Sequence, residues 1–146
     1  LMKNYRDVQL VLIAPPKFGL EPDIKAYLTA NKIPFVEDAR LDEVLPSLDA
    51  IYVTRMQTEW DPVGETNNID YTDYSITPEL LARLKPSAVI MHPLPRGPEI
   101  APAVDDDPRA VYWRQERNGM WMRVAILLKI FRADSVVRDF DISELN

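Results

Sequence analysis

Short β-branched runs alternate with helical segments over residues 8–91, and this alternation constrains the fold more than any other feature of the chain. The predicted strands are 8–13, 33–36, 50–53 and 88–91, and the predicted helices between them are 21–31, 41–48 and 77–84. Strands that are joined by helices pair in parallel, with right-handed crossovers. The sequence therefore predicts an α/β fold with a mainly parallel sheet.

A fourth helix is predicted at 118–132. Its side chains are apolar on nearly every face. A helix that is apolar all round is normally buried on every side. A domain of this size does not easily enclose such a helix, so we expect a further domain or a partner subunit to cover it. The alternative is an ordinary core helix. The ordered unit is predicted to span 1–132, and the polar segment 133–146 is predicted to be a loosely packed tail.

Composition excludes several classes of function. The chain has no cysteine and one histidine, His92, which leaves no Cys-based or multi-His metal centre. Its formal net charge of −6 argues against broad nucleic-acid binding. The longest apolar runs, 124–128 among them, are far shorter than the ~20 residues of a membrane span. Three consecutive acids at 105–107 resemble a metal site, but they point in different directions and are interpreted as a capped turn.

Two segments follow predicted strands, where parallel sheets bind their ligands. Arg55 and Gln57 stand two residues apart after the third strand, so in extended backbone they point to the same side. A guanidinium binds a carboxylate through two hydrogen bonds, and an amide can assist beside it. The alternative is a surface arginine without a ligand.

The other segment is 92–96, His-Pro-Leu-Pro-Arg, after the fourth strand. Pro93 and Pro95 cannot donate to a strand ladder, so the carbonyl groups of this turn are available to a ligand. We expect the bond between Leu94 and Pro95 to be cis. The alternative is a sharp turn with no chemical role. His92 lacks a neighbouring nucleophile and is interpreted as a structural, hydrogen-bonded residue.

Three separated blocks together resemble the aspartate carbamoyltransferase family. They are 51–57 (Ile-Tyr-Val-Thr-Arg-Met-Gln), 91–102 (beginning Met-His-Pro-Leu-Pro-Arg) and 104–119, with Ala-Val-Tyr-Trp-Arg-Gln at its centre. In order and spacing they are similar to the carboxyl-terminal, aspartate-binding half of that family, from about residue 8 to residue 131. The sister ornithine carbamoyltransferases carry cysteine at the position of Pro93, which favours aspartate as the amine substrate.

The resemblance implies a fold, a reaction and roles for residues. The fold is a three-layer sandwich with a Rossmann-like sheet that lacks its first strand. The reaction transfers a carbamoyl group from carbamoyl phosphate to L-aspartate in pyrimidine synthesis, without a cofactor or a metal. Arg55 would hold a carboxylate of aspartate and Gln57 would assist. The backbone of Pro93, Leu94 and Pro95 would engage the carbamoyl group, and the apolar helix would cross to the other domain.

The resemblance also identifies what these 146 residues do not contain. The family's Ser-Thr-Arg-Thr and His-Pro-x-Gln segments, which serve carbamoyl phosphate, have no counterpart. We therefore expect the chain to be inactive alone and to work with an amino-terminal carbamoyl-phosphate domain, in a cytoplasmic homotrimer of catalytic chains with or without regulatory chains. The alternative is a truncated, non-catalytic relative that acts as a binding or assembly module.

Overall fold

The computed structural model of the chain describes residues 2–37, 40–55, 70–133 and 135. Its strands and helices are β1 (Leu10–Leu12), α1 (Pro22–Ala30), β2 (Phe35–Glu37), α2 (Leu41–Val44), β3 (Ala50–Tyr52), α3 (Pro78–Leu81), β4 (Val89–Met91) and α4 (Tyr112–Ile130). Every predicted strand and helix is present, and most are shorter than predicted. The segment predicted as one helix over 41–48 is α2 followed by a 3₁₀-helix, Leu45–Ser47, because Pro46 has no amide hydrogen to continue the α-helical pattern.

All the strand pairing is parallel within the described residues. β1 pairs with β2, and β3 pairs with β4 in the register that places Tyr52 beside Met91. The α/β class with parallel strands is thus confirmed, although these hydrogen bonds form two two-stranded sheets rather than one continuous sheet. A third parallel segment lies on the other side of β4, where the Ile90 amide donates to the Arg109 carbonyl over 2.8 Å.

The hydrophobic core surrounds the β3–β4 sheet. Its buried members are Leu41, Leu45, Ile51, Ile76, Leu81, Leu84, Ala88, Ile90, Ile100, Val104 and Tyr112. Among the described residues before α2, Ile13 is the one hydrophobic residue that packs against this cluster. The β3–β4 sheet therefore packs against the hydrophobic core, and the core supports the segments that follow its two strands.

α4 starts earlier than predicted, and it is not enclosed as a core helix would be. It begins at Tyr112, not at 118, because the buried Tyr112 ring anchors its first turn in the core. Beyond that turn most of its apolar side chains are exposed, with Ile130 at 66%, and Phe131, which follows the helix, is 75% exposed. The alternative of a core helix is therefore wrong for this chain. Within the described residues, no helix combines the length and hydropathy that a bilayer crossing requires. Of the predicted tail 133–146, only 133 and 135 are described.

The acidic run at 105–107 is structural, as predicted. Asp107 accepts hydrogen bonds from the Arg109 side chain over 2.9 and 2.7 Å and from the Arg109 backbone amide. Arg109 also donates to the Leu84 carbonyl, which joins the segment before α4 to the turn that follows α3. The Arg109 guanidinium lowers the pKa of Asp107 below its usual range, and the carboxylate in turn raises the pKa of Arg109.

We expect Asp107→Asn to destabilise the fold by about 1 kcal/mol near neutral pH, because it removes the charge that Arg109 faces. The folded-state pKa of Asp107 lies below the unfolded value. Its contribution is therefore complete above the unfolded pKa and is lost as pH falls through the folded pKa. Urea unfolding at neutral and acid pH should show the wild type and the variant converging in acid. A gap that stays constant with pH would contradict this assignment.

Candidate functional site

The ends of β3 and β4 lie side by side. Their pairing continues one residue past Tyr52, since the Val53 amide donates to the Met91 carbonyl over 2.9 Å. Arg55 follows Tyr52 by three residues and Leu94 follows Met91 by three, so both stand beyond the same edge of the same sheet. The predicted neighbourhood of these two segments is confirmed. Arg55 is half-buried there, and Gln57 lies outside the described residues.

The turn after β4 has the backbone that its prolines predict. The Leu94–Pro95 bond is cis, as expected. Leu94 has a φ of 51°, in the left-handed region that residues with a side chain rarely adopt. Pro93 and Pro95 are exposed and Leu94 is half-buried. Within the described residues, the Pro93 and Leu94 carbonyls accept no hydrogen bond from the protein. The turn therefore presents two backbone acceptors at the edge of the sheet.

His92 supports this turn from inside the protein. Its ring is buried, and its Nδ1 accepts the Leu94 amide over 2.9 Å while its Nε2 lies 2.8 Å from Oε1 of Glu99. The His92 amide donates to Oε1 of Gln115 on α4 over 3.0 Å. The prediction of a structural, hydrogen-bonded histidine is confirmed. The same Gln115 donates to the Tyr52 hydroxyl over 3.4 Å, so one side chain of α4 contacts both strand ends.

A second set of contacts fixes the far end of the turn. Arg96 donates twice to Asp105, through Nη1 and Nη2, with both distances 2.6 Å. Asp105 also accepts a hydrogen bond from the Tyr112 hydroxyl at the start of α4. Burial, helped by the Asp105 carboxylate, raises the pKa of Tyr112, so that hydroxyl stays protonated and remains a donor. The turn is thus tied to the core at His92 and again at Arg96.

Sequence reasoning missed the residues that hold the turn in place. Glu99, Gln115 and Asp105 each contact it across 7 to 23 positions of the chain, and none belongs to a short motif with a known mechanism. One signal was available for Glu99, which stands alone between apolar and proline neighbours. Such a carboxylate needs a partner if it is buried, and the sequence offers two candidates shortly before it, Arg96 and His92.

The arrangement suits an anionic substrate that also carries an amine or amide. A guanidinium stands beyond one strand end, and two carbonyl groups to which no described residue donates stand beyond the next. Within the described residues, no group of three or more carboxylate or imidazole side chains is placed to hold a metal ion. Arginine binds carboxylate or phosphate, and backbone carbonyls accept from N–H groups, so this edge can orient a small molecule that bears both.

Comparisons with known proteins agree with this chemistry. Residues 3–130 match the family described as aspartate/ornithine carbamoyltransferase, Asp/Orn binding domain. Aspartate carbamoyltransferase 1 of Pisum sativum is 40% identical over 131 residues, which cover 87% of this chain and 33% of the relative. The catalytic subunit from Methanocorpusculum labreanum is also 40% identical, over 88% of this chain and 43% of its own length. The chain thus spans between a third and a half of these relatives.

Solved structures give the same result. Aspartate transcarbamoylase from Trypanosoma cruzi in complex with N-(phosphonacetyl)-L-aspartic acid superposes with a TM-score of 0.72 at 33% identity. The match covers 82% of this chain and 39% of that protein. The same protein is solved with aspartate and phosphate, where the TM-score is 0.69.

Proposed function

The chain belongs to the aspartate/ornithine carbamoyltransferase family, and from that premise we propose that it supplies the aspartate-binding half of an aspartate carbamoyltransferase. The observation that carries the proposal is the shared sheet edge at which Arg55 and the turn at 93–95 follow neighbouring parallel strands. Family membership alone admits two amine substrates, aspartate and ornithine. Pro93 in the turn and a relative that holds an aspartate analogue both favour aspartate.

The proposed reaction needs positioning more than it needs a reactive side chain. The amine of aspartate attacks the carbamoyl carbon, the bond from that carbon to the phosphate oxygen breaks, and phosphate leaves with the electron pair while the amine loses a proton. Holding two anionic reactants in the attacking geometry removes much of the barrier. Arg55, with Gln57 beside it in sequence, would hold a carboxylate of aspartate. The Pro93 and Leu94 carbonyls would accept from the carbamoyl nitrogen.

The exposed face of α4 supports a proposal about what this helix packs against. This face consists of Met122, Ile126, Leu127 and Ile130, each at least 52% exposed. Single apolar side chains are common on protein surfaces, but a contiguous patch marks an interface. We propose that the carbamoyl-phosphate domain covers this face and that three such catalytic chains assemble into a trimer. Phosphate binding and the donors that stabilise the tetrahedral oxyanion would come from that other domain.

A substrate comparison tests the proposed function. The complete protein that carries this segment should transfer the carbamoyl group of carbamoyl phosphate to L-aspartate and leave L-ornithine almost unchanged. Formation of N-carbamoyl-L-aspartate and of citrulline can be measured in parallel assays. Preference for ornithine would place the chain in the sister branch of the family. No transfer to either amine would leave the non-catalytic assembly module as the better account.

The 146-residue chain alone should show no turnover, because the family's Ser-Thr-Arg-Thr segment, which serves carbamoyl phosphate, is not among its residues. The same two assays, at matched concentrations of chain and complete protein, provide the comparison. Carbamoyl transfer by the isolated chain would contradict the division of labour proposed between the two domains.

A further inference from the structure

A buried histidine–carboxylate pair lies directly beneath the turn, and the reaction as described makes no use of it. His92 is 1% exposed and Glu99 is 5% exposed, and Nε2 of the ring lies 2.8 Å from Oε1 of the carboxylate. The Gly97 amide donates to the same oxygen over 2.7 Å. Polar groups buried this deeply are costly unless their hydrogen bonds are specific. The hydrogen bonds of this pair are therefore expected to control the geometry of the groups around it.

The contacts around the ring fix which nitrogen carries the proton. The Leu94 amide can only donate, so the Nδ1 that it contacts at 2.9 Å must be unprotonated. The proton is then on Nε2, which faces Glu99. Oε1 of Glu99, which also accepts the Gly97 amide, is placed to accept this proton, so the contact with Glu99 favours the same tautomer. The Glu99 carboxylate lies close to the backbone of Gly97. A Cβ at that position would lie 2.9 Å from Oε2 of Glu99, so glycine leaves room for the carboxylate.

The same tautomer holds Leu94 in its unusual backbone conformation. A left-handed φ is unfavourable for a residue with a side chain and persists only where neighbouring contacts impose it. The bond from the Leu94 amide to Nδ1 of His92 is such a contact, because it draws the amide toward the interior. The Leu94 and Pro93 carbonyls remain without a protein donor among the described residues. Loss of Nδ1 as an acceptor would remove the hydrogen bond that maintains this arrangement.

We propose that Glu99 is a positioning residue that acts through His92: by keeping the proton on Nε2, it leaves Nδ1 free to hold the Leu94 amide and so fixes the carbonyl groups of the turn for the substrate. The inference rests on the proposed function, since the carbonyls matter only if the turn contacts a substrate. Its structural half, the control of the His92 tautomer by Glu99, can be tested separately.

Two substitutions of His92 separate the two hydrogen bonds of the ring. In His92→Asn, the side-chain oxygen can still accept the Leu94 amide two residues ahead, as in an Asx turn, but the side chain does not reach Glu99. In His92→Gln, the longer side chain can donate to Glu99 but places no acceptor at the Nδ1 position. His92→Asn leaves a buried carboxylate short of a donor, so it should be the less stable variant.

The proposal predicts that stability and turnover change in opposite orders in the complete protein. His92→Gln should have a higher melting temperature than His92→Asn but a lower kcat. We expect the kcat of His92→Gln to be roughly 100-fold below that of the wild type. A merely structural pair would make kcat follow the melting temperature. Glu99→Leu should also lower kcat in the wild type while adding little in the His92→Asn background, where the connection is already absent. Equal losses of kcat in both backgrounds would overturn the proposal.

Nitrogen-15 NMR of the complete protein, labelled at histidine, tests the tautomer directly. The His92 signals are assigned by their loss in His92→Asn. We expect Nδ1 to be unprotonated in the wild type and Glu99→Leu to change the balance of the two tautomers. An unchanged tautomer in Glu99→Leu would overturn the inference even if the enzyme is active. A wild type without transfer activity would instead refute the proposed function, whatever the tautomer.

Discussion

In the complete protein, replacing Arg55 with alanine should lower kcat/KM for aspartate roughly 30-fold to several thousand-fold. This corresponds to a loss of about 2–5 kcal/mol of transition-state stabilisation. The guanidinium is half-buried at the edge of the β3–β4 sheet, where a bound carboxylate would lose much of its water. Truncation would leave that carboxylate without its cationic partner. Steady-state kinetics with each substrate varied in turn measures the effect, and binding of carbamoyl phosphate should remain close to that of the wild type.

Two further arginine variants make this result specific. Arg55→Lys keeps the charge but loses the planar, two-pronged donor, so its kcat/KM should lie between those of the wild type and Arg55→Ala. Arg40→Ala removes an equal charge at a position where 72% of the side chain is exposed, and it should behave like the wild type. An equal loss for aspartate and carbamoyl phosphate in Arg55→Ala would show that the site as a whole had collapsed.

The alternation of elements was predictable because it depends on local patterns. β-branched runs, helix starts at Pro22 and Pro78, and the breaks around proline are properties of neighbouring residues. The start of α4 was not predictable in the same way. The start at 118 was predicted from the apolar run that follows it, but the buried Tyr112 and the Gln115 contacts extend the helix back through Gly119 and Asn118, although both residues lower helix propensity. Tertiary packing outweighs a local penalty of this size.

The candidate site also has one part that local rules predict and another part that depends on tertiary structure. The positions of Arg55 and Leu94 followed from a general rule about parallel strands, whose carboxyl ends meet at one edge. The groups that hold the turn did not follow from any rule of spacing. Glu99 returns to His92 only because the chain bends sharply between them, and Gln115 reaches both strand ends from a helix that starts after a long irregular segment. Such contacts depend on the folded chain as a whole.

The largest stability effect should come from Ile90, at the centre of β4. Its side chain is fully buried, and its backbone pairs with β3 on one side and with the 109–111 segment on the other. Ile90→Ala should cost about 2–5 kcal/mol through lost burial and a residual cavity, and Ile90→Val about 0.5–1.5 kcal/mol. Denaturant unfolding of each variant measures these losses.

A matched substitution separates burial from residue type. Ile24→Ala, on α1, makes the same chemical change at a side chain that is 44% exposed, and its cost should stay within about 1 kcal/mol. Because β4 carries the turn at 93–95, the Ile90 variants should also lose activity in step with their stability. The His92 variants are expected to break that correlation. If Ile90→Ala and Ile24→Ala were equally destabilising, the core could not be centred on β4, and the turn would have no rigid support.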